Sequence, residues 1–396
     1  MKRIWKAFAA CLLALMLTAC GAGGSRSEAA PGVESAELFC VNVGKGDALI
    51  LRVGGWCGLI DAGKPWAMGR VLSAMEIMGI DRLDAVFLTH TDKDHAGGLE
   101  WLVAGDIPVG AWYASGCYTG VDEDKHPAVE AAGARGQQVN WLTRGDALSL
   151  GDAGAALRVL APFELSTDKD DNNSLVMMLE TAQGRMLLTG DMELPEEAGL
   201  MKQGDDLSCD VLKAPNHGDD DTLSLAFARA AGAKLALIST DSYAKPGTPD
   251  PGVLARLKEV GTQVRVTQDA GLGLWVTLTG GVPEVREVPF PEAEAQGISI
   301  EGVYPGDDLI VLKNAGPDRD MTGWYLFSDK GNELFAFPEG CLFPSGGTLT
   351  VGTLSSREGS FDLLWNDKKV INQKKADGIT LYDRYGRAVD RRGNGL

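Results

Sequence analysis

The chain has 396 residues, 44% hydrophobic and 23% charged, which is enough for about two domains with real cores and excludes disorder throughout. With 37 Lys+Arg against 55 Asp+Glu the formal net charge is −18. That balance excludes broad, backbone-neutralising nucleic-acid binding and leaves open acidic sites that hold cations.

The chain begins with Lys2, Arg3 and Lys6, then an apolar run, residues 7–17, too short to span a bilayer comfortably. It ends Leu17-Thr18-Ala19-Cys20-Gly21, which resembles a bacterial lipobox. Residues 1–19 are therefore expected to be a lipoprotein signal peptide, removed so that Cys20 becomes lipidated and anchors an extracytoplasmic protein to the membrane. The alternative is an ordinary secretory peptide with a chance Cys. Residues 20–35, small and Gly/Ser/Ala-rich, read as a tether. Processing removes three positive charges and leaves 34 basic against 55 acidic residues, net −21. No CxxC spacing occurs among the seven Cys, so neither a zinc knuckle nor a dense disulfide framework is indicated, although an isolated disulfide stays open. Cys40 and Cys57 lie in apolar runs and read as buried small hydrophobes.

From residue 36 short β runs alternate with helical stretches. ELFCVNV and DALILRV read as strands, and CGLID as a third ending at Asp61. Residues 66–78 form an amphipathic helix stopped by Gly79. DAVFLT is a strand that delivers the chain to His90. Later strands are ALRVLA, SLVMMLE, RMLLTG, CDVLKA, KLALIS, QVRVT and LWVTL, with helices over 193–203, 222–231 and 250–260. Residues 36–281 thus read as a layered α/β domain with its site at strand ends. Residues 282–297, with three Pro, read as a linker. Residues 298–396 look all-β, with Gly, Asn and Asp turns, as in a short sandwich. This tail holds 12 basic and 14 acidic residues, so residues 20–296 carry 22 against 41, net −19.

The strongest local signal is Thr89-His90-Thr91-Asp92-Lys93-Asp94-His95-Ala96-Gly97-Gly98. It holds two of the four His, with two Asp between them, in a loop after a strand. Imidazole with carboxylate suits Zn, Mn or Fe better than Ca or Mg. Asp61, Asp191 and His217 each follow another apolar run, so parallel strands would gather them at one edge. The acidic residues Asp170, Asp171 and Asp219 to Asp221 read as solvated loops, and His126, in DEDKHPAVE, as a surface His.

The ordered set VNVGKGDALIL, LIDAG, LTHTDKDHAGG, NNSLVMML, LLTGD and VLKAPNHG resembles the metallo-β-lactamase fold, and more narrowly the hydrolase domain of ComEC-type competence proteins. The resemblance covers about residues 36–280. It implies an αββα sandwich with one or two divalent transition metals, Zn or Mn, and hydrolytic chemistry. By resemblance His90, Asp92, Asp94, His95, Asp191 and His217 match metal-ligand positions; Asp92 stands where many members carry a second His. Asp92 and Asp94 are candidates to orient the attacking water or take its proton. Lys213 matches a basic residue of the subgroup, able to compensate a phosphate charge or replace part of a metal site, with a snorkelling surface Lys as the alternative. Asp61, Asn173 and Asn216 are implied supports behind the ligands. Two departures stand out. Asn216-His217-Gly218 replaces a common His-His-Gly, and Thr248 precedes Pro249 where a His is expected. The first metal position is therefore thin and the second better supplied.

The tail, from LIVLKNAGPDRDMTGWYLFS through PSGG and LLWN to ITLYDRYGRAVD, resembles a lamin-tail domain, which implies an immunoglobulin-like β-sandwich with Trp324 and Trp365 as core anchors. The function implied is a surface-tethered phosphodiesterase or nuclease acting on nucleic acid or a small phosphorylated substrate. The alternative is a non-catalytic lipoprotein that keeps the fold for binding or surface assembly. β-Lactam hydrolysis is a weaker third. The tail implies a binding partner of unknown chemistry.

Overall fold

The computed structural model describes residues 35–395 apart from 106, 152–153, 245, 292–296 and 358. The expected signal peptide, Cys20 and the expected tether before Ser35 lie outside these residues. Among the described residues no helix is long and apolar enough to cross a membrane.

The first unit is two sheets face to face. One is built from Ala36–Val41 (β1), Leu49–Val53 (β2), Trp56–Ile60 (β3), Leu83–Leu88 (β4), Val109–Ser115 (β5) and Val139–Leu142 (β6). The other holds Ala147–Leu150 (β7), Ala155–Ala161 (β8), Val176–Thr181 (β9), Gly184–Leu188 (β10), Val211–Lys213 (β11), Leu235–Ile238 (β12) and Gln263–Val266 (β13). The chain then returns to the first sheet with Gly273–Thr279 (β14) and Val282–Val288 (β15). The orders are β15-β14-β1-β2-β3-β4-β5-β6 and β13-β12-β11-β10-β9-β8-β7.

Side-chain alternation explains the layering. Leu38 and Cys40 of β1 join Leu51, Phe87, Leu157, Met177, Met186 and Leu237 in the core shared by the two sheets. Phe39 and Val41 point the other way and are also fully buried. The helix Met68–Met78 covers that face with Val71, Ala74 and Met75 and ends at Gly79 in the left-handed conformation, the stop that a glycine supplies without strain. On the far sheet, Leu200, Phe227, Val253 and Leu257 from Leu194–Gln203, Leu225–Ala231 and Pro251–Glu259 pack over Met178, Leu187 and Leu212. These layers form the αββα sandwich.

Three strands escape the sequence pattern. β5, β6 and β7 read VGAWYAS, VNWL and ALSL, and each is partly exposed and short of apolar alternation. The linker reading of 282–297 is corrected at its start. Val282–Val288 pairs antiparallel with β14 as an edge strand, a place that tolerates Pro283 because an edge residue can leave its missing N–H on the solvent side.

The second unit holds two four-stranded sheets, ordered Ile298–Tyr304, Leu309–Asn314, Thr348–Thr353, Leu363–Trp365 and Leu334–Ala336, Tyr325–Ser328, Gly378–Tyr382, Ala388–Gly393. Their shared core centres on Trp324 and Trp365, 0% and 1% exposed. It is the all-β sandwich that the tail pattern predicts.

Candidate metal centre

Parallel pairing brings the polar strand ends together. β3 runs parallel to β4, and β10 parallel to β11, so the residues that follow them emerge at common edges. β3 is followed by Asp61, β4 by Thr89-His90 and β10 by Thr189-Gly190-Asp191, and β11 leads to His217.

Asp61 sits at φ 58° and is fully buried. Its Oδ1 accepts the Thr89 backbone N–H at 2.8 Å, and its Oδ2 accepts the Thr89 hydroxyl at 2.8 Å. The same Oδ2 lies 2.7 Å from His95 Nδ1. That contact turns His95 Nε2 inward, 3.2 Å from Asp191 Oδ2 and 3.4 Å from His217 Nε2. Asp191 Oδ2 is also 3.0 Å from His217 Nε2, and Asp94 Oδ2 is 4.0 Å from that nitrogen. His217 reaches the cluster because Asn216 and His217 adopt φ of 38° and 54°, a left-handed turn that swings the ring off the strand line.

His90 stands on the other side of His95, with ring centroids 4.2 Å apart. Its Nδ1 lies near the hydroxyls of Thr89 (3.1 Å) and Ser174 (3.3 Å). Its Nε2 points toward Asp171 Oδ1 at 3.8 Å. Ligand-type atoms of His90, His95 and Asp191 lie within 4.8 Å of one another, and so do those of Asp94, His95 and His217, and of His90, Asp92 and Asp171. The first cluster shares His95 with the second and His90 with the third, as in a site for two adjacent cations.

The donor chemistry fits a divalent transition metal. His90 Nε2 and Asp191 Oδ1 are buried and have no hydrogen-bond partner among the described residues, so both face the cluster unsatisfied. Burial raises the Asp171 carboxyl, and the carboxylates of Asp191 and Asp92 push it further, to about 7. Burial likewise raises Asp92, against the opposing pull of His90. Burial disfavours the Asp191 carboxylate, but His217 and His95 hold it well below the usual range. A cation among these groups would relieve the repulsion between carboxylates and satisfy both orphaned atoms.

The remaining predicted residues are placed as follows. Lys213 is 0% exposed, so it is not a snorkelling surface Lys. Its Nζ meets Asp47 Oδ2 at 2.8 Å and donates to the Ala214 carbonyl at 2.9 Å. Asp47 Oδ1 accepts from the Ser239 hydroxyl and lies 3.6 Å from His217 Nδ1. Lys213 therefore neutralises Asp47 behind His217, and of its two readings the snorkelling surface Lys is the one corrected. Asn173, fully buried, donates to Ser166 O and Asp170 Oδ1 at 3.0 Å each. Asp170 in turn accepts from Thr91 N and Oγ1 and from Thr119 N, so it is a clamp on the His90 loop and not a solvated residue. Asp171 also leaves the solvated class. The Asn216 backbone N–H donates to Gly190 O at 3.2 Å, tying the two ligand-bearing turns together. Thr248, where a His was expected, bonds the Thr240 hydroxyl at 2.5 Å.

Two further expectations change. His126 is 1% exposed, packed against Tyr118 and Trp141, and burial pushes its pKa down to about 4. The described cysteines are free; Cys40 is buried, whereas Cys57 is only half-buried.

Residues 41–242 match the family model described as the metallo-beta-lactamase superfamily. The chain belongs to this superfamily. Residues 291–395 match the Lamin Tail Domain model, so a metallo-β-lactamase-fold domain carries a C-terminal lamin-tail domain. The chain is 28% identical over 253 residues to ComE operon protein 3 of Bacillus subtilis (strain 168), covering 59% of this chain and 32% of the relative. It is 27% identical over 263 residues to competence protein ComA of Neisseria gonorrhoeae, covering 66% and 35%. It thus spans about a third of the length of these relatives. Among solved structures, the metallo-beta-lactamase fold protein YhfI from Bacillus subtilis aligns with TM-score 0.41 and 15% identity over 61% of this chain and 99% of that one. Superfamily members are commonly hydrolases, and among the described residues this domain brings together groups of His and Asp that could hold a metal ion.

Asp47 and Asp171 lie among the grouped His and Asp side chains but were not named as candidates from the sequence. Asp47 had a visible signal, an acidic residue inside the otherwise apolar motif VNVGKGDALIL. Asp171 had none beyond membership of an acidic run.

Proposed function

We propose that this chain is a metal-dependent phosphodiesterase, held at the outer face of the cell membrane through a lipid on Cys20. The observation that carries the hydrolase reading is the convergence of two unsatisfied buried atoms, His90 Nε2 and Asp191 Oδ1, on His95, His217, Asp94, Asp92 and Asp171. His90, Asp92, Asp171 and Asp191 would hold one ion, and Asp94, His95, Asp191 and His217 the second, with Zn or Mn suited to the imidazole and carboxylate set. Bound there, such ions supply Lewis-acid activation of water and of a phosphoryl oxygen. The protein's own contribution is positional. Asp61 fixes the His95 ring so that Nε2 faces the site. Asp47, neutralised by Lys213, backs His217 through Ser239, whose hydroxyl donates to Asp47 Oδ1 and lies 3.4 Å from His217 Nδ1. Asp92, which is exposed, or Asp94 would orient the attacking water or take its proton. The similarity to competence proteins of Bacillus and Neisseria supports a nucleic acid or phosphoester substrate at the cell envelope.

The test is metal content of the processed protein together with hydrolysis of bis(p-nitrophenyl) phosphate and of single- and double-stranded DNA. The reading expects at least one transition metal per chain, loss of metal and of turnover in His95→Ala and Asp191→Ala, and fatty-acid labelling lost in Cys20→Ala. A folded protein that takes up neither Zn nor Mn would sink the hydrolase reading in favour of a non-catalytic binding lipoprotein.

A further inference from the structure

A domain with a net charge of −19 must present a local cation to hold a phosphate. Cations beside the cluster are mostly occupied. Lys213 is sealed against Asp47. Lys169 is tied to Glu193 and Asp221. Lys45 differs in position. It lies in the turn Gly44-Lys45-Gly46 between β1 and β2, and Gly44 and Gly46 have φ of 78° and 153°. A side chain at Gly46 would meet the Asp94 carbonyl oxygen at 2.6 Å, and the following Asp47 N–H donates to that oxygen at 3.1 Å. The turn is therefore pressed against the metal-ligand loop, and glycine is what lets it approach so closely.

Lys45 Nζ lies 2.8 Å from Asp219 Oδ2, with the side chains 23% and 33% exposed, so the pair sits at a solvent-reaching mouth. Burial opposes the ammonium charge, but Asp219, and then Asp191 and Asp94, raise the Lys45 pKa. Two members of the metal cluster thus lie within electrostatic reach of this lysine.

We infer that Lys45 is the oxyanion-binding group of the site, held by Asp219 until a phosphoryl oxygen of the substrate displaces that carboxylate. The inference rests on the phosphodiesterase reading and names the residue that grips its substrate. Asp219 keeps the lysine aimed at the mouth and competes with the ligand for it, so the two residues have opposite effects on anion affinity. A purely structural clasp would make them equivalent.

The experiment is calorimetric titration of the metal-loaded full chain with inorganic phosphate, beside metal analysis and steady-state hydrolysis of bis(p-nitrophenyl) phosphate. Lys45→Gln is expected to weaken phosphate binding about 10-fold or more, the loss of one charge-assisted contact, with metal content unchanged. Lys45→Arg is expected to restore most of that affinity, and Asp219→Asn to bind phosphate more tightly than the parent. Wild-type affinity in Lys45→Gln, loss of metal in that variant, equal weakening in Asp219→Asn, or no phosphate binding by the parent would each overturn the inference. Weakened phosphate binding without any phosphodiester turnover in the parent would sustain Lys45 and sink the activity. Turnover with an unchanged KM in Lys45→Gln would do the reverse.

Discussion

Asp61 Oδ2 lies 2.7 Å from His95 Nδ1, and the same carboxylate accepts both the backbone N–H and the hydroxyl of Thr89. One buried side chain thus fixes a ring and the start of the loop that carries it. Asp61→Ala removes this orientation without removing a ligand atom. Outer partners of metal-binding histidines are worth about 10–100-fold in metal affinity. Asp61→Ala is therefore expected to weaken metal binding by about that factor, read by competition with a fluorescent chelator, whereas Thr89→Val, which leaves the Asp61–His95 contact in place and loses the hydroxyl's contacts to Asp61 and His90, is expected to weaken it less.

The Lys213–Asp47 pair is buried on both sides, 0% and 1% exposed. Breaking a buried pair from one side leaves an uncompensated charge and costs about 3–5 kcal/mol. Lys213→Met is expected to lower stability by that amount in urea unfolding of the first unit. Adding Asp47→Asn removes the stranded carboxylate, and the double variant recovers part of the loss. A double variant that falls by the sum of the two single losses would show that the residues do not act as a pair.

Much of this architecture was legible because apolar runs ended in polar ligand types. LIDAG, LTHTDKDH, LLTGD and VLKAPNHG each announce a buried strand with a chemical residue at its end, and parallel pairing gathers those ends. Residues that enter the site from loops carried weaker marks. Asp171 lies in DKDDNN, where its neighbour Asp168 is an exposed acid of the same kind, and only the turn Asp170–Asn173 that contains it brings it near His90. His126 misled for a related reason. Residues 122–125 around it are exposed or nearly so, while its own ring turns inward onto Tyr118 and Trp141. The edge strand Val282–Val288 was hidden by Pro283, a residue that an edge admits and a central strand excludes.

Glu196, in the helix Leu194–Gln203, is 6% exposed, and neither carboxyl oxygen has a hydrogen-bond partner among the described residues. Burial holds its pKa well above the model-peptide value of 4.5. The folded state therefore keeps the proton longer than the unfolded state does. Stability from this group is complete below the unfolded pKa and is lost as pH rises through the folded pKa. Glu196→Gln keeps the shape and removes the charge. It is expected to stabilise the protein by about 1–3 kcal/mol at pH 8 and to give no gain near pH 4, measured as unfolding midpoints across that range. An equal gain at both pH values would assign the effect to packing.

The two halves of the proposed metal centre separate by residue. Asp171 approaches His90 and Asp92, whereas Asp94 approaches His95 and His217. Asp191 touches His95 and His217 directly and also forms a cluster with His90, so it belongs to both. Asp171→Asn removes an anionic ligand from the first position only, and it also removes the carboxyl that burial, and then repulsion from Asp191 and Asp92, raise to about 7. Metal analysis after gel filtration is expected to show about one equivalent fewer in Asp171→Asn, with the more firmly held ion retained. Asp94→Ala is expected to lose that firmer ion, and Asp191→Ala both. The order matters because the second position holds two buried imidazoles and a shared carboxylate, while the first relies on one imidazole and on Asp92 and Asp171, which lie nearer the solvent. Identical metal content in Asp171→Asn and the parent would remove Asp171 from the ligand set and leave His90 facing a single shared ion.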